Sequence, residues 1–267
     1  MKLALAQLDV KPQDIEGNLS RACQSIRDAA DAGADLVCLP EMFNVGYAAF
    51  DIYEQAAEPI SGDTLAELSH VAADNDIAVL AGTIVEDLAA TSTAETPAET
   101  GLSNTAVLLD SNGERQLIYR KHHLFGYHSE ESNLLTPGDR VSVTDLCGFT
   151  IGITTCYDLR FPELYRQLVD QGATLVLVPS AWPYPRVEHW KLLPQARAVE
   201  NLLYIGAVNG ADTPDSQLVG RSAIYDPWGT TVATTSHSPD LVIDEIYPDR
   251  VQSVRDRFSA LDDRRIR

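Results

Sequence analysis

Lysine is scarce in this chain: Lys2, Lys11, Lys121 and Lys191 are its only lysines among 20 basic residues, set against 39 acidic ones. The formal net charge of −19 creates a field that repels polyanions, which argues against nucleic acid or an anionic membrane surface as a partner. Cysteine is sparse too. The four, at 23, 38, 147 and 156, show neither zinc-site nor disulfide-framework spacing, so reduced thiols and no metal are expected. No apolar window approaches the roughly 18 residues of a membrane span. The chain opens directly on a strand-like run, Leu3 to Leu8, and a cytoplasmic protein is expected. Glycine-rich phosphate loops are also missing. Gly206-Ala207-Val208-Asn209-Gly210 lacks dinucleotide spacing, so no cofactor is expected. No repeat and no break in composition divides the 267 residues, enough to bury a full core, and one α/β domain over 1–267 is predicted.

Hydrophobic periodicity fills that domain in. Leu3 to Leu8 reads as a strand, Ile15 to Ala32 as a helix closed by Gly33, and Ala34 to Leu39 as a second strand, a β-α-β start that implies parallel pairing. Thr64 to Ala73 reads as a helix and Ile77 to Val85 as a strand. Asn104 to Leu109 and Gln116 to Arg120 form a hairpin across Asp110-Ser111-Asn112-Gly113. Ala89 to Thr100, rich in Ala, Thr and Glu, predicts a mobile surface loop without chemistry. His122 to Asp145 is a long, aperiodic connection of the kind that is usually functional. Then come the strand Thr150 to Thr155, a helix Pro162 to Gln171, the strand Thr174 to Pro179, a helix Val187 to Asn201 and the strand Leu203 to Val208. Arg221 to Tyr225, Thr231 to Ala233 and Leu241 to Ile246 read as antiparallel strands, and the charged tail from Asp249 as partly helical.

Three chemically capable residues fall at the carboxyl ends of predicted strands, the edge where reactive groups collect in α/β proteins. Cys156 follows Thr150 to Thr155, just before the Pro162-Glu163 start of a helix. A lone cysteine is most often buried packing. A sharp turn there would instead expose the thiol and aim the next backbone N–H at a developing oxyanion. Glu41 follows Leu39 and the stiff Pro40, and Lys121 follows Tyr119-Arg120. Either charge alone is ordinarily solvated, but a thiol needs a proton acceptor before it attacks, and the shared position gives the three a common task. His122, His123 and His128 raise a Cys–His protease alternative, yet no papain-like or caspase-like residues flank Cys156.

The segments Leu39-Pro40-Glu41, Tyr119-Arg120-Lys121-His122-His123-Leu124-Phe125 and Cys156-Tyr157-Asp158-Leu159-Arg160-Phe161-Pro162-Glu163 resemble the nitrilase superfamily of carbon-nitrogen hydrolases. His189-Trp190 to Asn201, Asp226-Pro227-Trp228-Gly229 and Asp263-Arg264-Arg265 extend the resemblance over nearly the whole chain. It implies a four-layer αββα sandwich, a Glu-Lys-Cys triad, and homodimers that extend the sandwich, or higher homo-oligomers, with the 249–267 tail as the candidate dimer contact. On this resemblance Glu41 is the general base, Cys156 forms a thioester and expels ammonia, and Lys121 with the Tyr157 N–H stabilises the oxyanion. A second glutamate before the nucleophile strand is matched best by Glu131, with Glu130 one residue away, and would position the substrate and the lysine.

Tyr157-Asp158 stands where nitrile-hydrolysing members usually carry Trp-Glu, which favours an amidase. The Trp182 to Leu193 segment, with Ala196 to Asn201, resembles ω-amidases acting on α-keto acid amides such as 2-oxoglutaramate, and shares much with deaminated glutathione amidase and N-carbamoyl hydrolases. A catalytically idle binding subunit is the non-enzyme alternative. A substrate carboxylate wants a guanidinium fork, and Arg186 is the candidate; Phe43, Tyr47, Tyr157, Trp182 and Trp190 are the aromatic residues able to wall a small pocket, with Tyr157 and Trp182 preferred. Arg160 and Arg197 are expected to be structural, pairing with Asp158, Glu163 or Glu200.

Arginine in place of lysine, with dispersed carboxylates, resembles the composition of proteins from salt-loving organisms. Self-repulsion among those carboxylates is screened by salt. Unfolding followed against salt therefore should show a lower midpoint in dilute buffer than at molar salt; greater stability in dilute buffer contradicts the salt-adapted reading.

Overall fold

The computed structural model describes residues 1–92 and 94–265. Thr93, inside the predicted insert, and Ile266 and Arg267, at the end of the predicted tail, lie outside the described residues. Strand β1 (Lys2–Gln7), helix α1 (Ile15–Asp31) and strand β2 (Leu36–Cys38) form the expected parallel β-α-β unit. The Asp14 side chain caps α1 by accepting from Gly17 N–H. After a one-turn helix α2 (Tyr53–Ala56) come α3 (Asp63–Asp74), β3 (Ala78–Leu80), β4 (Ile84–Asp87), β5 (Leu102–Leu109) and β6 (Arg115–Arg120). A short helix α4 (Glu131–Leu134) leads into β7 (Val143–Leu146), β8 (Phe149–Ile153), α5 (Pro162–Asp170) and β9 (Leu175–Ser180). The chain ends with α6 (Val187–Asn201), β10 (Tyr204–Asn209), β11 (Ala223–Tyr225), β12 (Thr231–Thr234), β13 (Asp240–Glu245) and α7 (Pro248–Arg257).

Two sheets result. One runs β13-β1-β2-β3-β5-β4 with β6 also on β5, and the other runs β12-β11-β10-β9-β8-β7. The period of two in β1 shows why they stack. Leu3 and Leu5 enter the core shared with the second sheet, whereas Ala4 and Ala6 face a core covered by Ala22 and Ile26 of α1 and Leu65 and Leu68 of α3. Leu164 and Leu168 of α5 and Trp190 and Ala198 of α6 cover the second sheet. The layer order is helix, sheet, sheet, helix, the αββα sandwich expected above. The sheets approach closely at Gly206, where a Cβ would come within 3.0 Å of the Leu177 and Leu3 side chains.

Three expectations need correction. The strand read over Ile77 to Val85 is broken: Val79 pairs with Leu109 and Leu80 with Leu108, but Ile84 pairs with Thr105, a one-residue slip along β5. The break centres on Gly82, whose φ of +46° suits glycine and whose missing Cβ would lie 2.0 Å from the Pro40 carbonyl oxygen. The connection His122 to Asp145 is not wholly irregular, since it contains α4 and the start of β7. The insert 89–100 is anchored more firmly than its composition implies: Thr91 Oγ1 accepts from Ile60 N–H, Ala94 packs on the α1/α3 core, and Arg120 Nη1 donates to the Glu95 carbonyl. Its small side chains gave no periodic signal for those contacts.

Because the Gly82 gap is filled by the carbonyl of Pro40, Gly82→Ala should displace the segment that carries Glu41. We expect a loss of about 2 kcal/mol or more in denaturant unfolding; an unchanged midpoint contradicts this packing.

Candidate active site

The end of β2 delivers Glu41. Leu39 N–H still bonds to Leu80 carbonyl at 3.0 Å, then Pro40 ends the ladder and Met42, with φ of +50°, turns the chain sharply. That turn is held by Met42 N–H donating to Thr83 Oγ1 at 2.8 Å and by Glu41 N–H reaching Ser180 carbonyl of β9 at 3.4 Å. Glu41 thus spans the gap between the sheets, only 1% exposed. Lys121 leaves β6 with its backbone still paired to Asn104 and Gly138, and its side chain runs inward, fully buried.

Cys156 begins a tight 3₁₀ turn, Cys156–Arg160, directly after β8, and α5 follows with Pro162 in its first turn. Its φ of +47° is the left-handed kink of the expected elbow. Asp158 clamps that elbow. Buried, it accepts from Thr155 N–H at 2.9 Å, Tyr119 hydroxyl at 2.6 Å and His123 N–H at 3.0 Å, with His123 Nδ1 at 2.7 Å. Tyr119 and His123 bracket Lys121, and Thr155 and Asp158 bracket Cys156. One carboxylate therefore fixes the lysine segment against the cysteine segment.

Between the three strand ends lies a buried ion cluster. Lys121 Nζ donates to Glu41 Oε1 at 2.8 Å and to Glu131 Oε1 and Oε2 at 2.8 and 3.0 Å. Glu131 is completed by Tyr47 hydroxyl at 2.9 Å and Phe125 N–H at 2.8 Å, and Glu41 Oε2 accepts from Ala181 N–H at 2.9 Å. Burial opposes the charge on Lys121, but Glu131 and Glu41 more than offset it and hold the ammonium protonated well above the ordinary range. Glu41 is raised above 4.5 by burial and by Glu131, against the pull of Lys121. The Cys156 thiol is raised by burial and by the neighbouring Glu41 carboxylate, with Lys121 and Ala181 N–H working the other way. A protonated thiol thus rests against a carboxylate that takes protons more readily than an ordinary glutamate.

The thiol faces a small apolar chamber of about 30 Å³ walled by Tyr157, Trp182, Phe125 and Arg160. Tyr47, Phe125, Ala181, Pro183 and Arg186 also line a neighbouring outer vestibule of about 370 Å³. Trp182 is fixed by its indole donating to the Arg186 carbonyl at 3.0 Å. The Arg186 guanidinium lies 5.2 Å from the Phe125 ring centroid and pairs with no carboxylate among the described residues.

All seven residues singled out from the sequence, Glu41, Lys121, Glu131, Cys156, Tyr157, Trp182 and Arg186, converge on this cluster and its chamber. Of the two neighbouring glutamates, Glu131 is fully buried on the lysine, while Glu130 is exposed and bonds Asn133. Arg197 binds Glu200 and the Leu159 carbonyl as expected. Arg160 does not pair with Asp158 or Glu163; Asp158 is taken by the clamp, and Arg160 bonds His189 at 2.9 Å with its guanidinium over Tyr157 and Trp182. Two polar members escaped sequence reading. Tyr47 looked like an aromatic wall only, and Asn104 is hidden in an apolar strand, although the hairpin register places it beside Lys121.

The family model described as carbon-nitrogen hydrolase matches residues 2–256. The omega-amidase of Mus musculus is 32% identical over 99% of this chain and 95% of its own. The 2-oxoglutaramate amidase of Paenarthrobacter nicotinovorans is 33% identical over 87% and 79%, respectively. In structure, Saccharomyces cerevisiae Nit3, a member of branch 10 of the nitrilase superfamily, superposes with a TM-score of 0.88 at 30% identity over 100% of this chain and 97% of its own. An amidase variant from Nesterenkonia sp. AN1, with the acetamide moiety of fluoroacetamide covalently added at its active-site cysteine, gives 0.84 at 27% identity over 99% and 94%. With the elbow, the ion cluster and the chamber in place, the chain belongs to the carbon-nitrogen hydrolase family.

Proposed function

We propose that this enzyme hydrolyses small carboxylate-bearing amides in the manner of an ω-amidase, through a thioester on Cys156. The observation that carries the reading is the meeting of the thiol with Glu41 and Lys121 at the floor of a chamber whose wall holds Arg186, a guanidinium with no carboxylate partner among the described residues. Glu41 takes the thiol proton as Cys156 Sγ attacks the amide carbon. The new oxyanion lies against Lys121 and the Tyr157 N–H, where a fixed cation in a dry site has full effect. Glu41 returns the proton to the leaving nitrogen as the C–N bond breaks, and ammonia departs. Water then gives a proton to Glu41 and attacks the thioester, and the acid leaves as the thiol is restored. Glu131 keeps Lys121 charged and in place, Tyr157 and Trp182 bound the acyl group, and Arg186 takes the distal carboxylate with two parallel hydrogen bonds. The activities named for the mouse and Paenarthrobacter relatives support this substrate class.

The same reading places the activity in a single domain over 1–267, in a cytoplasmic, salt-adapted homodimer with the 249–267 tail near the contact between copies. The charge of −19 supports the salt adaptation. Among the described residues no helix is long and apolar enough to cross a membrane.

Ammonia release from 2-oxoglutaramate, deaminated glutathione, N-carbamoyl compounds and simple nitriles, assayed at low and high salt, tests the class; we expect the first to be turned over best. Cys156→Ala should abolish release with the fold intact, and retained activity would sink the nucleophile assignment. Arg186→Leu should raise KM for acidic amides about tenfold or more and leave neutral amides nearly unchanged; equal effects on both remove it from the carboxylate site.

A further inference from the structure

Asn104 stands opposite Lys121 in the β5–β6 ladder: Thr105 pairs with Arg120, and one step on, Lys121 N–H donates to the Asn104 carbonyl at 2.9 Å. Its side chain is fully buried, and Nδ2 donates to Glu41 Oε1 at 2.9 Å and Glu131 Oε1 at 3.0 Å. Those are the same two oxygens that Lys121 Nζ contacts, each at 2.8 Å. Two donors and two acceptors thus close a ring. Chemistry decides which end of the amide faces it, since an amide oxygen there would meet two carboxylate oxygens. Asn104 Oδ1 has no partner among the described residues, so the side chain's polar stabilisation comes from its NH₂ end.

We propose that Asn104 is a positioning residue for the hydrolysis: its uncharged amide ties Glu41 to Glu131 around Lys121, occupies Glu41 Oε1, and leaves the Oε2 side of Glu41 for the Cys156 thiol. The inference rests on Cys156 and Glu41 acting as nucleophile and base. The charges explain why a neutral donor is needed. Two carboxylates already share one ammonium, so a third acid would raise the proton affinity of the cluster, and a second cation would compete with Lys121 for Glu41. An apolar residue would leave Glu41 Oε1 on a single donor, free to turn and more readily protonated. The groups around Glu41 are Lys121 from the end of β6, Glu131 from α4, Cys156 from the elbow and Ala181 N–H after β9, with Tyr47 behind Glu131.

Two profiles against pH test this. One is kcat/KM for amide hydrolysis. The other is the rate of iodoacetamide alkylation at Cys156, located by peptide mass in a Cys147→Ser background that removes the exposed thiol. Asn104→Ala should move the acid limb of both profiles up by about one pH unit, because an anion loses a hydrogen-bond donor. Asn104→Asp, which keeps the side chain's shape, should move it at least as far and lower the plateau roughly tenfold or more. It also serves if the alanine variant does not fold. Limbs that stay in place while melting temperature or overall rate falls would overturn the proposal in favour of packing alone. Alkylation does not require turnover. A shifted alkylation limb in a protein that hydrolyses no amide upholds the inference and refutes the proposed substrate class, and unmoved limbs in an active amidase do the reverse.

Discussion

A lysine ammonium buried between two carboxylates is the constraint to which the rest of this molecule conforms. Removing such charges from water costs several kcal/mol per ion, and the cost is offset only where nearly every donor and acceptor is matched. Here the match draws on distant parts of the chain. Glu41 comes from the end of β2, Lys121 and its backbone partner Asn104 from a hairpin, Glu131 from a short helix, and the Ala181 N–H from the second sheet. No one sheet could supply all of them. The αββα stack brings the carboxyl ends of strands from both sheets to one place, and Gly206 lets the sheets close.

The same requirement explains why the cysteine elbow is braced from outside. A left-handed residue at the head of a 3₁₀ turn is costly and persists only where its surroundings over-determine it. Asp158 does so with hydrogen bonds from both sides of Lys121 and from Thr155. The position of thiol relative to ammonium is thereby set by a clamp of its own as well as by the packing of two sheets. Catalysis by electrostatic preorganisation needs that rigidity, because a displaced cation stabilises the oxyanion poorly.

Much of this was legible in the sequence, and the reasons differ by residue. Strand ends are marked by strong signals, so Glu41 after Pro40, Lys121 after a β-rich run and Cys156 before Pro162 could be placed at one edge without a structure. Glu131 rather than Glu130 could not be decided, since a one-residue choice on a loop depends on which carboxylate meets the lysine. Asn104 and Tyr47 read as strand filler and an aromatic wall because their value lies in partners distant in sequence, at |i−j| of 63 and 84. The break at Gly82 was missed for a similar reason: the glycine is needed for the approach of Pro40, a contact invisible to periodicity. Arg160 was expected to pair with Asp158, Glu163 or Glu200, whereas the clamp fills Asp158 and Arg160 bonds His189.

The central claim is that the thiol of Cys156, freed by Glu41 and set beside Lys121, becomes acylated by an amide. Its most direct test is acid quenching of the enzyme during turnover of 2-oxoglutaramate, followed by mass analysis of the peptide that carries Cys156. The account predicts a mass increase equal to the acyl group, lost on treatment with hydroxylamine and absent in Glu41→Gln. Turnover with no acyl group on Cys156, in a quench fast enough to capture a thioester model compound, would contradict it.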